Sequence, residues 1–150
     1  MNTHRRHSAS RFFSTLCFLT ALMVPGLSPS LAIAGGKPGV VIQVSENDPA
    51  KWNLALNNAG NLIQALGGPD KVDIEIVAYG PGLAMLKADS VVGERLGVAV
   101  SDGIHLSACH NTMRAKHVEQ RDLYLGVDVV PAGVLEIMQR QQGGWAYIRP

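Results

Sequence analysis

Reactive side chains crowd into one stretch of this 150-residue chain, Cys109-His110-Asn111-Thr112-Met113-Arg114-Ala115-Lys116. A cysteine reacts as its thiolate, which is favoured by hydrogen-bond donors, nearby cations and helix N-termini. The stretch offers all three. Cys109 follows the apolar run Ile104-His105-Leu106-Ser107-Ala108, which reads as a strand, and the cap-like Asn111-Thr112 opens a helix beyond it. In an open α/β sheet, the carboxyl end of a strand is where ligands bind. The chemistry would be nucleophilic attack by Cys109, or sulfur transfer to it. Arg114 and Lys116 would favour the anion, His110 would accept a proton, and Asn111 or Thr112 would hydrogen-bond a bound anion. The same placement also suits a cysteine that only packs, because free cysteines are among the most buried residues.

Other constellations say less. His105, Cys109, His110 and His117 suggest a metal site, but a structural zinc site wants four ligands with paired spacing, and that pairing is missing; no metal is expected. Gly80-Pro81-Gly82 reads equally as a turn that lets a ligand approach the backbone closely and as a plain strand-end turn; it matches neither a P-loop nor a Gly-x-Gly-x-x-Gly fingerprint, and no cofactor is expected. Asn47, Asp48, Asn53, Asn57 and Asn58 read as cap and surface residues around one helix. A Gly-x-Ser-x-Gly elbow is absent too.

Residues 1–34 read as a secretory leader. Arg5, Arg6 and Arg11 form a basic start, Phe12 to Val24 is an apolar stretch too short for a stable membrane span, and Ala32-Ile33-Ala34 is a small-x-small cleavage pattern. Arg5-Arg6 invites a twin-arginine reading, but the His7-Ser8-Ala9 that follows favours general secretion. Cleavage after Ala34 predicts a periplasmic protein of residues 35–150 with no stable membrane anchor. It also removes Cys17 and leaves Cys109 as the single thiol, unable to form an internal disulfide. The chain has 13 Lys and Arg, three of them in the leader, against 12 Asp and Glu, none of which is in the leader. The mature balance is therefore slightly acidic, which argues against a nucleic-acid partner.

The elements that must position Cys109 alternate. Val40 to Val44, Val72 to Tyr79, Ile104 to Ala108, Val127 to Val130 and Trp145 to Arg149 read as strands. Asp48-Pro49 opens a first helix that Gly67-Gly68-Pro69 stops, Ser90 to Ser101 forms a second, and Pro131 opens a last one through Val134, Leu135, Ile137 and Met138. Leu83 to Lys87 reads as a loop or one turn, and Thr112 to Tyr124 as short helical pieces. The expected fold is a single compact α/β domain, with a mainly parallel sheet of about five strands and helices on both faces.

The runs VVIQVSENDPAKWNLALNNAGNL, IEIVAYGPGLAMLKADS, ACHNTMRAK and VPAGVLEIMQRQQGGWAYIRP together resemble the DsrE/DsrF-like family, in its exported branch. The resemblance spans essentially the whole mature chain. It implies a parallel α/β domain that assembles into homo-trimers or hexamers, with cysteine-bearing loops near subunit interfaces. It also implies that Cys109 carries sulfane sulfur as a persulfide, exchanged with a thiol-bearing donor or acceptor protein. The branch often reads Cys-Gly-Asn-Thr where this chain has His110 in place of the glycine. The alternative is a non-catalytic module that binds a small anion or a protein, in which Cys109 is structural.

Overall fold

Gly39–Val44 is a run of mostly β-branched residues and forms strand β1. The computed structural model describes residues 36–150. The leader, its cleavage position and Cys17 lie outside the described residues. After β1, Asp48 caps helix α1 (Pro49–Leu66), its carboxylate accepting from the Ala50 N–H at 2.8 Å, with Pro49 in the first turn. Gly67, in the left-handed region at φ 92°, ends the helix, and the Gly67 and Gly68 N–H groups return to the carbonyls of Gln64 and Ile63. Strand β2 (Asp73–Ala78) follows, then a buried 3₁₀ segment (Gly80–Leu86), helix α2 (Gly93–Ser101) and strand β3 (His105–Cys109). Helix α3 (His110–Lys116), strand β4 (Val127–Val130), helix α4 (Gly133–Gln142) and strand β5 (Ala146–Ile148) complete the domain.

All five strands are parallel, in the order β4-β3-β2-β1-β5. The expected single α/β domain with helices on both faces is the fold of the described residues. Its two faces are unequal. Val40, Ile42, Ile74, Ile76 and Leu106 point to one side, where Trp52, Ala55 and Leu56 of α1 and Leu96 of α2 build the main core. Val41 and Val77 point to the other, where α4 contributes Ile137 alone. Among the described residues no helix is long and apolar enough to cross a membrane.

Element boundaries depart from expectation where chemistry is concentrated. The second helix starts at Gly93 rather than Ser90. Helix α3 starts at His110, so Cys109 is its N-cap, while Asn111 and Thr112 lie inside the first turn instead of capping it. Helix α4 starts at Gly133, two residues after Pro131, and of Val134, Leu135, Ile137 and Met138 only Ile137 is buried. A glycine suits that start, because a Cβ on Gly133 would sit 3.0 Å from the Tyr79 ring and 3.2 Å from Val77, closer than side chains ordinarily approach.

Candidate functional site

Cys109 ends β3, in register with Val130 of β4, and is 5% exposed. Its backbone is extended (φ −73°, ψ 114°), and it occupies the N-cap of α3 without closing an ordinary capping hydrogen bond. Burial pushes the thiol pKa up. The Thr112 hydroxyl and the N–H groups of Gly133, Thr112 and Asn111 pull it down, and together they win: the pKa falls below the ordinary thiol value. Asn111 and Thr112 offer orphan N–H groups of the α3 first turn, and Gly133 offers one from the start of α4. The starts of α3 and α4 therefore both lower the thiol pKa.

Thr112 links this sulfur to the next strand end. Its Oγ1 accepts from the Gly80 N–H at 2.9 Å, which leaves the hydroxyl proton for the sulfur. Gly80 adopts φ 55°, in the left-handed region that glycine tolerates, and so brings its N–H to Thr112. Beside it, Tyr79 is half-buried. Burial raises its pKa first, Tyr147 second, and the charge of Cys109 also contributes, so the phenol stays neutral while the thiol titrates.

A polar cluster closes the carboxyl edge near β1 and β5. The Tyr147 hydroxyl donates to Gln43 Oε1 at 2.6 Å. Glu46 takes Arg149 at 2.6 Å, the Ser45 hydroxyl at 2.9 Å and Lys51 at 3.3 Å. These partners, Arg149 first, hold its carboxyl down at about 2.

Of the residues expected at the site, the structure brings Thr112 to Cys109 by side chain and Asn111 by its backbone N–H. His110 is exposed at the first position of α3. Arg114 and Lys116 are exposed in the last turn, where they complement the helix C-terminus, and neither is among the leading influences on the thiol. His105 shares the face of Cys109 but is exposed at the opposite end of β3, about 13 Å away along the strand. His117, at φ 54°, is the α3 C-cap. Asn53 and Asn57 hold Arg95 of α2 at 2.5 and 2.7 Å.

Sequence reasoning missed Gly133 and Tyr79, and it singled out Gly80 as part of a strand-end turn without its bond to Thr112. The signal for Gly133 was present: it follows β4 at the same carboxyl edge as Cys109 and opens the next helix. Its meeting with a residue 24 positions earlier is a product of tertiary structure.

No family model and no curated protein matches the chain. The solved structures similar to it include two proteins of unknown function. One is the protein of unknown function BT1422 from Bacteroides thetaiotaomicron, at 16% identity and a TM-score of 0.61, covering 75% of this chain and 94% of that one. That likeness is one of fold. The other is the protein of unknown function MTH1491 from Methanobacterium thermoautotrophicum, at 39% identity and a TM-score of 0.72. With 76% of this chain aligned to 100% of that protein, the chain belongs to the same family as MTH1491.

Proposed function

We propose that this protein carries sulfane sulfur as a persulfide on Cys109, taking it from one thiol-bearing partner and passing it to another. The observation that carries this reading is the place of Cys109 at the end of β3 and the N-cap of α3, where the Thr112 hydroxyl and the N–H groups of Gly133, Thr112 and Asn111 hold the thiol pKa below its ordinary value despite burial. In the loading step the Cys109 thiolate attacks the terminal sulfur of a donor persulfide. A new S–S bond forms at Cys109, the donor's S–S bond breaks, and the electron pair leaves with the donor thiolate, so no oxidant or reductant is consumed. Unloading is the same exchange with an acceptor thiolate. With Cys109 only 5% exposed, the incoming group must be slender, as a terminal sulfur atom is. His110, exposed and next to Cys109 in the chain, is the residue we assign to take the proton of an arriving thiol. The leader-like residues 1–34 support a periplasmic setting.

A second reading, an assembly or binding module, draws on α4. Val134, Leu135 and Met138 are 61%, 39% and 47% exposed on that helix. Apolar side chains grouped this way favour an interface, consistent with a homo-trimer or hexamer. The two readings separate on Cys109. The purified protein is exposed to a sulfane-sulfur donor and its intact mass is measured beside a Cys109→Ser control. The carrier gains the mass of one or more sulfur atoms, reversibly under a thiol reductant, and the control gains none. A folded protein with a titratable thiol and no mass gain overturns the carrier reading in favour of the module.

A further inference from the structure

Glu75 stands in β2, the middle strand of the sheet, and is 1% exposed. Its Oε1 accepts from the Ser107 hydroxyl of β3 at 2.5 Å, and its Oε2 from Arg140 Nε of α4 at 2.6 Å. Arg140 Nε also meets Glu136 Oε1 at 2.9 Å, and the guanidinium lies over the Trp145 ring, 4.5 Å from its centroid. Taking a carboxylate out of water is expensive, and an apolar pair often holds a helix to a sheet as well or better. What an ion pair of this kind supplies is a defined position.

Helix α4 needs one. Its inward stripe is Gly133, Glu136 with Ile137, and Arg140, so Ile137 is the single buried apolar side chain on it. One isoleucine against Val41 and Val77 leaves the helix free to slide and roll. Two other contacts fix it. Gly133 lies against Tyr79 and Val77 at one end, and Arg140 binds Glu75 at the other. Seven helical residues rise about 10.5 Å. The three strand residues that carry Glu75 to between Val77 and Tyr79 span about 10 Å. The helix is pinned along β2 at two points whose spacings agree.

We propose that the buried Glu75–Arg140 pair is a positioning device that sets α4 on the sheet and holds its Gly133 start against Tyr79 and Val77, at the carboxyl edge that Cys109 shares. This rests on the reading of Cys109 as a thiolate site, and it assigns Glu75, Arg140 and Ser107 to that site although none of them touches it. The charged and titratable groups around the device are Glu136 on α4 and His105 of β3, in register with Glu75; Tyr79, just after β2, packs against Gly133.

The test is the thiolate ultraviolet absorbance of the whole protein followed against pH, with Cys109→Ser as the blank. The variants are Glu75→Gln, and Glu75→Leu with Ser107→Ala and Arg140→Met, each confirmed folded by its unfolding transition. Ile137→Val serves as a control that loosens apolar packing but leaves the pair intact. The expected result is a wild-type midpoint below that of a free thiol. In both pair variants the midpoint moves up, so that the thiolate fraction at neutral pH falls on the order of tenfold, as loss of one hydrogen bond to a charged group implies. The control stays in place. An unmoved midpoint in folded pair variants overturns the positioning role while leaving the carrier reading intact, and an equal shift in Ile137→Val overturns it as general loosening. A wild-type midpoint at the free-thiol value removes the thiolate site itself. Should the triple variant fail to fold, Glu75→Gln, which keeps the side-chain volume, decides.

Discussion

Replacing Thr112 with valine removes one hydroxyl and tests the architecture of the sulfur site at two points. The first is the Gly80 N–H, which loses its acceptor at 2.9 Å. A partly buried donor left without a partner costs about 1–3 kcal/mol of stability at any pH. The second is the sulfur, which loses its one side-chain donor, so the thiol pKa rises towards its ordinary value. The sign of the pH effect follows from linkage. Because the folded pKa is lowered, the unfolded chain binds more protons than the folded one in the window between the folded and the free-thiol values. Stability from this group is fully present above the unfolded pKa and is lost as pH falls through the folded one. Wild-type stability therefore gains from this group as pH rises through that alkaline window. Thr112→Val should show both the constant loss and a smaller gain with pH. In a Cys109→Ala background the constant loss remains and the pH-dependent part disappears. Urea unfolding across a pH series reads both. The reasoning is refuted if Thr112→Val keeps the wild-type pH dependence, or if Thr112→Ser, which retains the hydroxyl, loses as much as valine.

Three further outcomes follow from named contacts. Gly82→Ala would drive a Cβ into the Val44 carbonyl, a backbone atom that cannot turn aside; it should cost about 3 kcal/mol or more in urea unfolding. Arg149→Ala should let the Glu46 carboxyl rise from about 2 towards its ordinary value, seen in an NMR titration. Since a depressed carboxyl stabilises above its unfolded pKa and less below, the variant should also lose part of the wild-type decline in stability between pH 5 and pH 2. Arg114→Gln with Lys116→Gln should leave the Cys109 titration in place, because those side chains belong to the far turn of α3. A raised midpoint would restore them to the thiolate's surroundings.

Where local chemistry punctuates the chain, the fold is legible. Asp48-Pro49 and Gly67-Gly68 bound α1 at the expected residues because a cap carboxylate, a fixed proline φ and a left-handed glycine act within one turn. The alternation of strands and helices is enough to give a parallel sheet. The place of Cys109 at the end of a strand is legible too. Its surroundings are less so: the start of α4 arrives through tertiary packing, and so does Gly80, whose N–H binds Thr112, while Arg114 and Lys116, close in sequence, lie exposed in the last turn of the helix. Glu75 is the sharpest case. An acid alternating with apolar residues reads as the wet face of a strand, and the partners that bury it lie 32 and 65 residues away.

Strand β5 is three residues long and pairs with β1, so the first and last strands of the domain share a ladder. Val40 and Ala146 meet across roughly a hundred intervening residues, the slowest kind of contact to form. Until they do, β1 is an edge: Val40-Val41-Ile42 presents unpaired backbone groups beside apolar side chains, a template for another chain to join. A chain cut short before Trp145 would keep that edge open and should aggregate. Ala146, Tyr147 and Ile148 are thereby a guard against misassembly, and their few hydrogen bonds matter most in the interval before the domain is complete.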